Sequence, residues 1–108
     1  MTRSAGAELD IQVLDSDDRS IVYLRGELDA NTAARLRASL ADLIGAGARH
    51  VVVDLRDLSF MGATGLGVLV GAARRLRREG GMLVLRSARP GVERMIEITG
   101  LRAVLPQP

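Results

Sequence analysis

The sequence predicts a single α/β domain in which helices pack on a mixed, mostly parallel sheet that begins with an N-terminal hairpin. Apolar β-rich runs alternate with amphipathic stretches in the order strand, strand, helix, strand, helix, strand, helix. This alternation implies βαβ crossovers, which join parallel strands, and it leaves open whether the helices cover one face of the sheet or both. The 108 residues are 47% hydrophobic and 26% charged, which suits one core and leaves no room for a second domain.

The two ends of the chain are expected to flank the folded domain. Residues 1–7 are small and polar without periodicity, so we expect a flexible leader, a domain over residues 8–105 and a tail at residues 106–108. The sequence has neither a signal-peptide pattern nor a run of about 18 apolar residues. It therefore predicts no membrane association and a cytoplasmic location.

Alternating residues near the start predict the hairpin. Leu9, Ile11 and Val13 alternate with polar side chains, as in a half-buried strand. Residues 15–19 are typical of a turn, and residues 21–24 form the second predicted strand.

Two amphipathic helices are predicted by apolar residues at helical spacing. The apolar face of the first helix is formed by Ala33, Leu36, Leu40, Leu43 and Ile44. Asp29 or Asn31 is a candidate N-cap of this helix, and glycines at 45 and 47 end it. The apolar face of the second helix is formed by Leu66, Leu69, Val70, Ala73 and Leu76.

The remaining elements are predicted by run length and by proline and glycine. Residues 50–55 contain three consecutive valines, which favour a central strand covered on both faces. Residues 82–85 form another buried strand. Pro90 begins a third helix and Gly100 ends it, and residues 101–105 are expected to add a last short edge strand.

The composition excludes several kinds of chemistry. Without cysteine the chain has no disulfide, thiolate metal site or cysteine nucleophile. All 15 basic residues are arginine, which excludes mechanisms that need a lysine, such as a P-loop or a Schiff base. His50 is the only histidine, so Ser-His-Asp catalysis and histidine metal sites are not expected. We expect no cofactor and no metal.

The segment 54–67, between the central strand and the second helix, is the candidate functional loop. Ligands and partners of open α/β sheets meet the carboxyl ends of the strands, where the N–H groups of the next helix converge. Thr64 lies at or just before that helix N-terminus. A plain helix cap is the structural alternative for such a threonine.

Several short motifs follow one another in order between about residue 8 and residue 105. They are Gly26-Glu27-Leu28-Asp29 with Asn31-Thr32-Ala33, then Val52-Val53-Asp54-Leu55, then Phe60-Met61, and then Thr64-Gly65-Leu66-Gly67. In this order and spacing they resemble the STAS family, specifically the bacterial anti-sigma factor antagonists.

The resemblance implies a phosphorylation switch. In the family, an anti-sigma factor that is itself a serine kinase phosphorylates a hydroxyl in the loop before the second helix. Thr64 matches that position, and Ser59 is a distant second candidate. The unphosphorylated antagonist binds the kinase and frees the sigma factor, the phosphorylated form no longer binds, and a metal-dependent PP2C-type phosphatase resets it. The chain would then be a substrate and a ligand, not a catalyst.

The partner-binding surface is expected to include this loop, the outward side of the second helix and, by the resemblance, the loop before the first helix. The expected residues are Asp29, Asn31, Gly62, Ala63, Thr64, Gly65, Gly67, Val68, Gly71 and Ala72. Small residues on the second helix permit close approach of a partner, or Gly67 and Gly71 only let that helix pack tightly on the sheet. Asp29 and Asn31 have the alternative role of helix caps.

Two features depart from the family pattern. The family loop usually reads Asp-Ser-Ser/Thr-Gly, whereas this chain has Gly62-Ala63-Thr64-Gly65, so a carboxylate that would help kinase or phosphatase recognition is missing. Family members commonly continue into a further strand and a C-terminal helix. A sheet flank that these elements do not cover would favour a dimer or a partner that supplies the cover. We expect a monomer or a weak homodimer.

Three other interpretations fit less well. The glycines from Gly62 to Gly67 have the spacing G-x-x-G-x-G, not the G-x-G-x-x-G of a dinucleotide loop. Asp54 resembles the phosphoacceptor of a response-regulator receiver, but the chain lacks the required lysine and acidic pair. The arginines at 74–78 are typical of a solvated helix end, and with Tyr 1, Phe 1 and Trp 0 there is no stacking platform for nucleic acid.

The sequence therefore predicts an anti-sigma factor antagonist that binds an anti-sigma factor serine kinase and is switched off by phosphorylation at Thr64. The alternative is a STAS module that is never phosphorylated and acts as a scaffold in a sensory or stress-signalling complex.

Overall fold

The computed structural model describes residues 9–107, which form four strands and three helices. In chain order these are β1 (Leu9–Asp15), β2 (Ser20–Leu28), α1 (Ala33–Gly45), β3 (His50–Met61), α2 (Ala63–Arg78), β4 (Met82–Arg86) and α3 (Pro90–Thr99). The predicted leader, residues 1–7, lies outside the described residues, as do Glu8 and Pro108.

The sheet has the strand order β1-β2-β3-β4. β1 pairs antiparallel with β2, whereas β2 pairs parallel with β3 and β3 parallel with β4. The predicted class, a mostly parallel sheet with an N-terminal hairpin, is confirmed. Because the three parallel strands point the same way, the loops that follow β2 and β3 emerge at the same edge.

The predicted helix faces match the core. On α1 the buried residues are Ala33, Leu36, Leu40 and Ile44. On α2 they are Gly65, Leu66, Val68, Leu69, Val70, Ala73 and Leu76. Leu43 is only partly buried and packs against the same cluster. The two helices pack side by side, and α2 also contacts β3 and β4.

The prediction that β3 is covered on both faces is wrong. Val51 and Val53 are buried in the helix-covered core, but Val52 points to the opposite face and is only half-buried. There it lines an open hollow together with Met82 and Val84. The β-branched run reflects an apolar patch on the second face and not a second layer of helices.

β3 is longer than predicted because it follows β2 to the end of that strand. Its register against β2 shifts twice, after Tyr23 and after Gly26. Each shift adds one residue to β3, as a β-bulge does. The buried residues in this part of β3 are therefore three positions apart, at Leu55, Leu58 and Met61. In a regular strand, residues on the same face are two positions apart.

The predicted edge strand at residues 101–105 is wrong, because this segment forms a turn. The N–H groups of Val104 and Leu105 both donate to the Leu101 carbonyl, at 3.0 and 2.9 Å. The turn places Leu105 in the core with none of its surface exposed. Within residues 9–107, the one backbone hydrogen bond that joins β4 to the chain after this turn is donated by the Leu85 N–H to the Pro106 carbonyl at 2.9 Å.

The first turn of α2 packs directly on the end of β2. Gly65 is buried, and a Cβ atom added to it would overlap the Leu28 side chain. Two residues further along, a Cβ atom on Gly67 would meet no atom within 4 Å. The glycine at 65 is therefore required by the packing of α2, and the glycine at 67 is not.

A buried ion pair joins β3 to β4 on the face opposite α1 and α2. Asp54 Oδ2 accepts from Arg86 Nε and lies 3.0 Å from Arg86 Nη2, and Asp54 Oδ1 accepts from the Arg56 N–H at 2.9 Å. The hydrogen bond to Asp54 raises the pKa of Arg86 above its ordinary value, and a bond to Tyr23 adds to this. The Asp54 carboxylate is thus held by neighbours at mid-strand, unlike the free carboxylate that a receiver phosphoacceptor needs.

Replacing Asp54 by Asn should lower the free energy of unfolding by roughly 2 kcal/mol, because Arg86 keeps its charge and loses its anionic partner. Urea unfolding at neutral pH measures this. The matched control is Asp57→Asn on the same strand, which is exposed and forms no ion pair within residues 9–107 and should change stability by less than about 0.5 kcal/mol. Equal effects of the two variants would show that the pair does not stabilise the sheet.

Gly65→Ala should lower the free energy of unfolding by roughly 1–3 kcal/mol through overlap with Leu28. Gly67→Ala should raise it by about 1 kcal/mol, since alanine is the better helix former and the site is open. In a Leu28→Ala background the Gly65→Ala effect should largely disappear. If Gly65→Ala costs the same in both backgrounds, Leu28 is not the contact that requires glycine.

Candidate functional site

Thr64 is the second residue of α2, and its side chain is exposed. The N-cap is Gly62, with φ −93° and ψ 175°, and no side chain of residues 9–107 caps this helix. Within residues 9–107 the Thr64 hydroxyl forms no hydrogen bond. The plain-cap interpretation of Thr64 is therefore wrong, because the residue lies inside the helix and its hydroxyl points to solvent.

The first turn of α2 presents unpaired backbone donors. The first N–H to bond back along the helix is that of Leu66, which donates to the Gly62 carbonyl at 3.0 Å. The N–H groups of Ala63, Thr64 and Gly65 have no acceptor among the described residues. No acidic side chain lies in this turn. Free donors and the positive end of the helix dipole make this position favourable for an anion.

The loops that follow β2 and β3 are joined at this edge of the sheet. The Gly62 N–H donates to the Leu28 carbonyl at 2.8 Å, and Leu28 pairs with Met61 in the sheet register. Together with the contact between Gly65 and Leu28, this bond fixes the start of α2 beside the loop that carries Asp29 and Asn31. The loop that follows β2 and the segment that leads into α2 are therefore neighbours in the fold.

A compact hydrogen-bonded turn positions Asp29. Its Oδ1 accepts from the N–H groups of Asn31 at 2.9 Å and Thr32 at 3.1 Å. The Thr32 hydroxyl accepts from the Asp29 N–H at 3.0 Å and donates to the Glu27 carbonyl at 2.8 Å. The N-cap of α1 is Thr32. Neither Asp29 nor Asn31, the two predicted N-caps, occupies that position. Asp29 instead organises the turn that leads into the helix.

Asn31 and Thr32 differ in what they offer to a partner. Asn31 is exposed, and its side chain forms no hydrogen bond within residues 9–107. Thr32 is 5% exposed and holds the turn together. Sequence reasoning missed the role of Thr32, although the spacing of Asp29 and Thr32, three residues apart, is typical of such a turn.

Phe60 is a further surface residue that sequence reasoning did not assign to the site. It is 49% exposed, and a Cβ atom on Gly62 would lie 3.3 Å from Phe60 Cε2. The only phenylalanine of the chain therefore lies against the N-cap of α2, three residues before exposed Ala63. An exposed aromatic ring is a common anchor in protein interfaces.

The small residues of α2 border a groove between α1 and α2. Gly67 and Gly71 are exposed, and a Cβ atom on either would meet no atom within 4 Å. The alternative that these glycines let α2 pack tightly on the sheet is therefore wrong. Ala72 is half-buried at the groove.

Two expected surface residues need correction. Gly65 is buried against Leu28, and Val68 is 6% exposed. Val68 belongs to the side of α2 that turns toward α1, so it lines the groove from within and does not lie on an outward stripe. Ser59, the second hydroxyl candidate, is exposed but donates to the Gly26 carbonyl at 2.9 Å.

The arginines at the end of α2 lie at the edge of the sheet away from Thr64. Arg75 and Arg49 both pair with Glu79, each at 3.1 Å. Pairing of this kind and the position of the arginines in the last helical turn agree with a solvated helix end.

The described part of the chain holds no cluster of three or more histidine, cysteine, aspartate or glutamate residues that could bind a metal ion. Of the helices formed by residues 9–107, none has the length and apolar character needed to cross a membrane.

Comparison with known proteins gives one consistent result. The family model described as STAS domain matches residues 9–107. The chain is 33% identical to an anti-sigma-B factor antagonist of Bacillus subtilis over 90% of this chain and 88% of that protein. The crystal structure of an anti-sigma factor antagonist from Mycobacterium paratuberculosis superposes with a TM-score of 0.86 at 30% identity, covering 97% of this chain and 89% of the other.

A third similarity concerns the fold alone. The structure of the Bacillus cell fate determinant SpoIIAA in its phosphorylated form superposes with a TM-score of 0.72 at 24% identity, covering 94% of this chain and 91% of that one. The family model spans all four strands and all three helices described above. The chain belongs to the STAS-domain family, among relatives named as anti-sigma factor antagonists.

Proposed function

We propose that this chain is an anti-sigma factor antagonist that binds an anti-sigma factor serine kinase, frees the sigma factor and is switched off by phosphorylation at Thr64. The observation that carries the proposal is the exposed, unbonded Thr64 hydroxyl in the first turn of α2. The names of the relatives, which are anti-sigma factor antagonists, support the same class of activity.

Phosphorylation at this position is compatible with the fold. A phosphate adds a charge of roughly −1.5 to −2. Three unpaired N–H groups and the helix dipole would stabilise that charge, and no acidic side chain in the first turn of α2 opposes it. Among the described residues, the Thr64 hydroxyl also has no hydrogen-bond partner to lose. The switch would therefore act on binding and leave folding intact.

A phosphate at Thr64 would oppose a docked partner. Within its own segment of the chain, Thr64 has small and apolar side chains near it, and Ala63 and Phe60 are exposed there. A partner packed against it would bury the new anion without a counter-charge, which costs several kcal/mol. At about 1.4 kcal/mol per tenfold change, this lowers the affinity more than a hundredfold.

The docking surface that we propose contains exposed and half-buried residues of the two joined loops and the small residues of α2. Its members are Asp29, Asn31, Phe60, Gly62, Ala63, Thr64, Gly67, Gly71 and Ala72. Gly65 and Val68 support this surface from beneath. A PP2C-type phosphatase in the cytoplasm would remove the phosphate and restore binding.

Incubation with the cognate anti-sigma factor and ATP should add one phosphate to the chain, seen by intact mass spectrometry as a gain of about 80 Da. Thr64→Ala should abolish the gain, because it removes the only unbonded hydroxyl of this surface. Ser59→Ala is the matched control and should be phosphorylated like the wild type. A wild-type chain that binds the kinase but gains no phosphate would establish the scaffold alternative instead.

Thr64→Glu should keep the melting temperature at or slightly above that of the wild type, because an acidic side chain in the first turn complements the helix dipole. The same variant should bind the anti-sigma factor at least tenfold more weakly, as measured by calorimetry. Thr64→Gln has similar size without the charge and should bind more tightly than Thr64→Glu. Unfolding of Thr64→Glu would contradict the proposal, since it would show that the position is structural.

A further inference from the structure

A groove with a volume of about 370 Å³ lies between α1 and α2. Most of its lining is apolar or small, and the described residues that form it are Arg37, Leu40, Ala41, Ile44, Gly67, Val68, Gly71, Ala72 and Arg75. From Gly67 to Arg75 the α2 side is about 12 Å long, at 1.5 Å per residue. The groove begins one helical turn beyond Thr64, so it continues the proposed docking surface along α2.

The width of the groove is not required by the fold. Glycine in a helix interior is destabilising relative to alanine. Gly67 and Gly71 nevertheless lie within α2 where an added Cβ atom meets nothing within 4 Å. Neither has the positive φ that favours glycine, unlike Gly80 just after the helix. Contacts within residues 9–107 therefore give no reason for these two glycines, whereas a partner that approaches the helix backbone would.

The charges of the groove indicate what kind of partner fits. The charged residues among those that line it are Arg37 and Arg75. Arg37 forms no ion pair within residues 9–107, and Arg75 pairs with Glu79 at the far end. A second copy of the chain docked symmetrically would bring arginine against arginine, which is unfavourable. An acidic partner would complement both residues.

We infer that the groove binds an amphipathic helix of the anti-sigma factor, with small and apolar side chains against Gly67 and Gly71 and carboxylates opposite Arg37 and Arg75. This rests on the proposed function and adds the α1 wall and the chemistry of the partner segment to it. A groove between two helices, with an apolar floor at Leu40 and Ile44, suits the apolar face of a third helix. In this contact the glycines would select a partner by its shape, and the arginines would select it by its charge.

The first test separates binding from folding at one glycine. The anti-sigma factors encoded in the source genome are purified, and their affinity for the unphosphorylated chain is measured by calorimetry. Gly71→Ala should raise Tm by about 4–8 °C and still bind at least tenfold more weakly. Gly91→Ala is the matched control, a helical glycine of α3 with an equally open Cβ position, and should bind like the wild type.

The second test reverses one charge of the groove. Arg37→Glu should weaken binding at least tenfold, and the loss should shrink at high salt as the repulsion is screened. Arg94→Glu on α3 makes the same change of net charge at an exposed position away from the groove and should alter the affinity less than threefold.

The outcomes distinguish the two proposals. If no anti-sigma factor binds the wild type, the proposed function fails and the groove assignment fails with it. If the wild type binds and is phosphorylated at Thr64 while Gly71→Ala and Arg37→Glu bind equally well, the function stands and the groove assignment is overturned. It is also overturned if the wild-type chain sediments as a dimer that Gly71→Ala dissociates, since the occupant would then be a second copy.

Discussion

The close contact between the end of β2 and the first turn of α2 is the constraint on which the candidate site depends. Leu28 occupies the space that a side chain at residue 65 would need, and its carbonyl accepts the Gly62 N–H at 2.8 Å. One residue of β2 thus fixes both the packing and the direction of α2. Because of this, the Thr64 hydroxyl and the turn around Asp29 share one surface, and a partner can contact both at once.

The glycines of α2 divide the helix into a part that serves the fold and a part that faces outward. Gly65 is buried and cannot be replaced without displacing Leu28, whereas Gly67 and Gly71 border open space. In the proposed mode of binding, stability and recognition therefore depend on different positions of one helix. This separation is what a phosphorylation switch requires, since a modification that unfolded the domain would destroy the protein instead of controlling it.

Much of the fold could be predicted from the sequence, because apolar periodicity directly reports burial. The residues that face the core on α1 and α2 follow from their spacing, and the limits of α3 follow from Pro90 and Gly100. The end of β3 could not be predicted, because its bulges depend on pairing with β2 and leave no periodic signal. Residues 101–105 were misassigned for a related reason, since an apolar run this short suits either a strand or a turn that buries Leu105.

The site could be predicted in outline but not in its contacts. Thr64 was placed near the helix start by its glycine neighbours, whereas the burial of Gly65 and Val68 depends on which sides of α2 meet Leu28 and α1. The groove itself had no signal in the sequence, because its second wall comes from α1, about thirty residues earlier. Small residues on α2 indicated close approach but could not show what lies beside them.

The two bulges of β3 restrict the length of this segment as well as its composition. β3 uses two residues more than β2 to reach the same edge of the sheet. Deleting one residue near either bulge would draw α2 toward the sheet by about 3.3 Å or would turn Met61 out of the core. The Gly62 N–H would then miss the Leu28 carbonyl. Insertions and deletions between residues 54 and 62 should therefore be tolerated far less well than substitutions at the exposed positions of this segment.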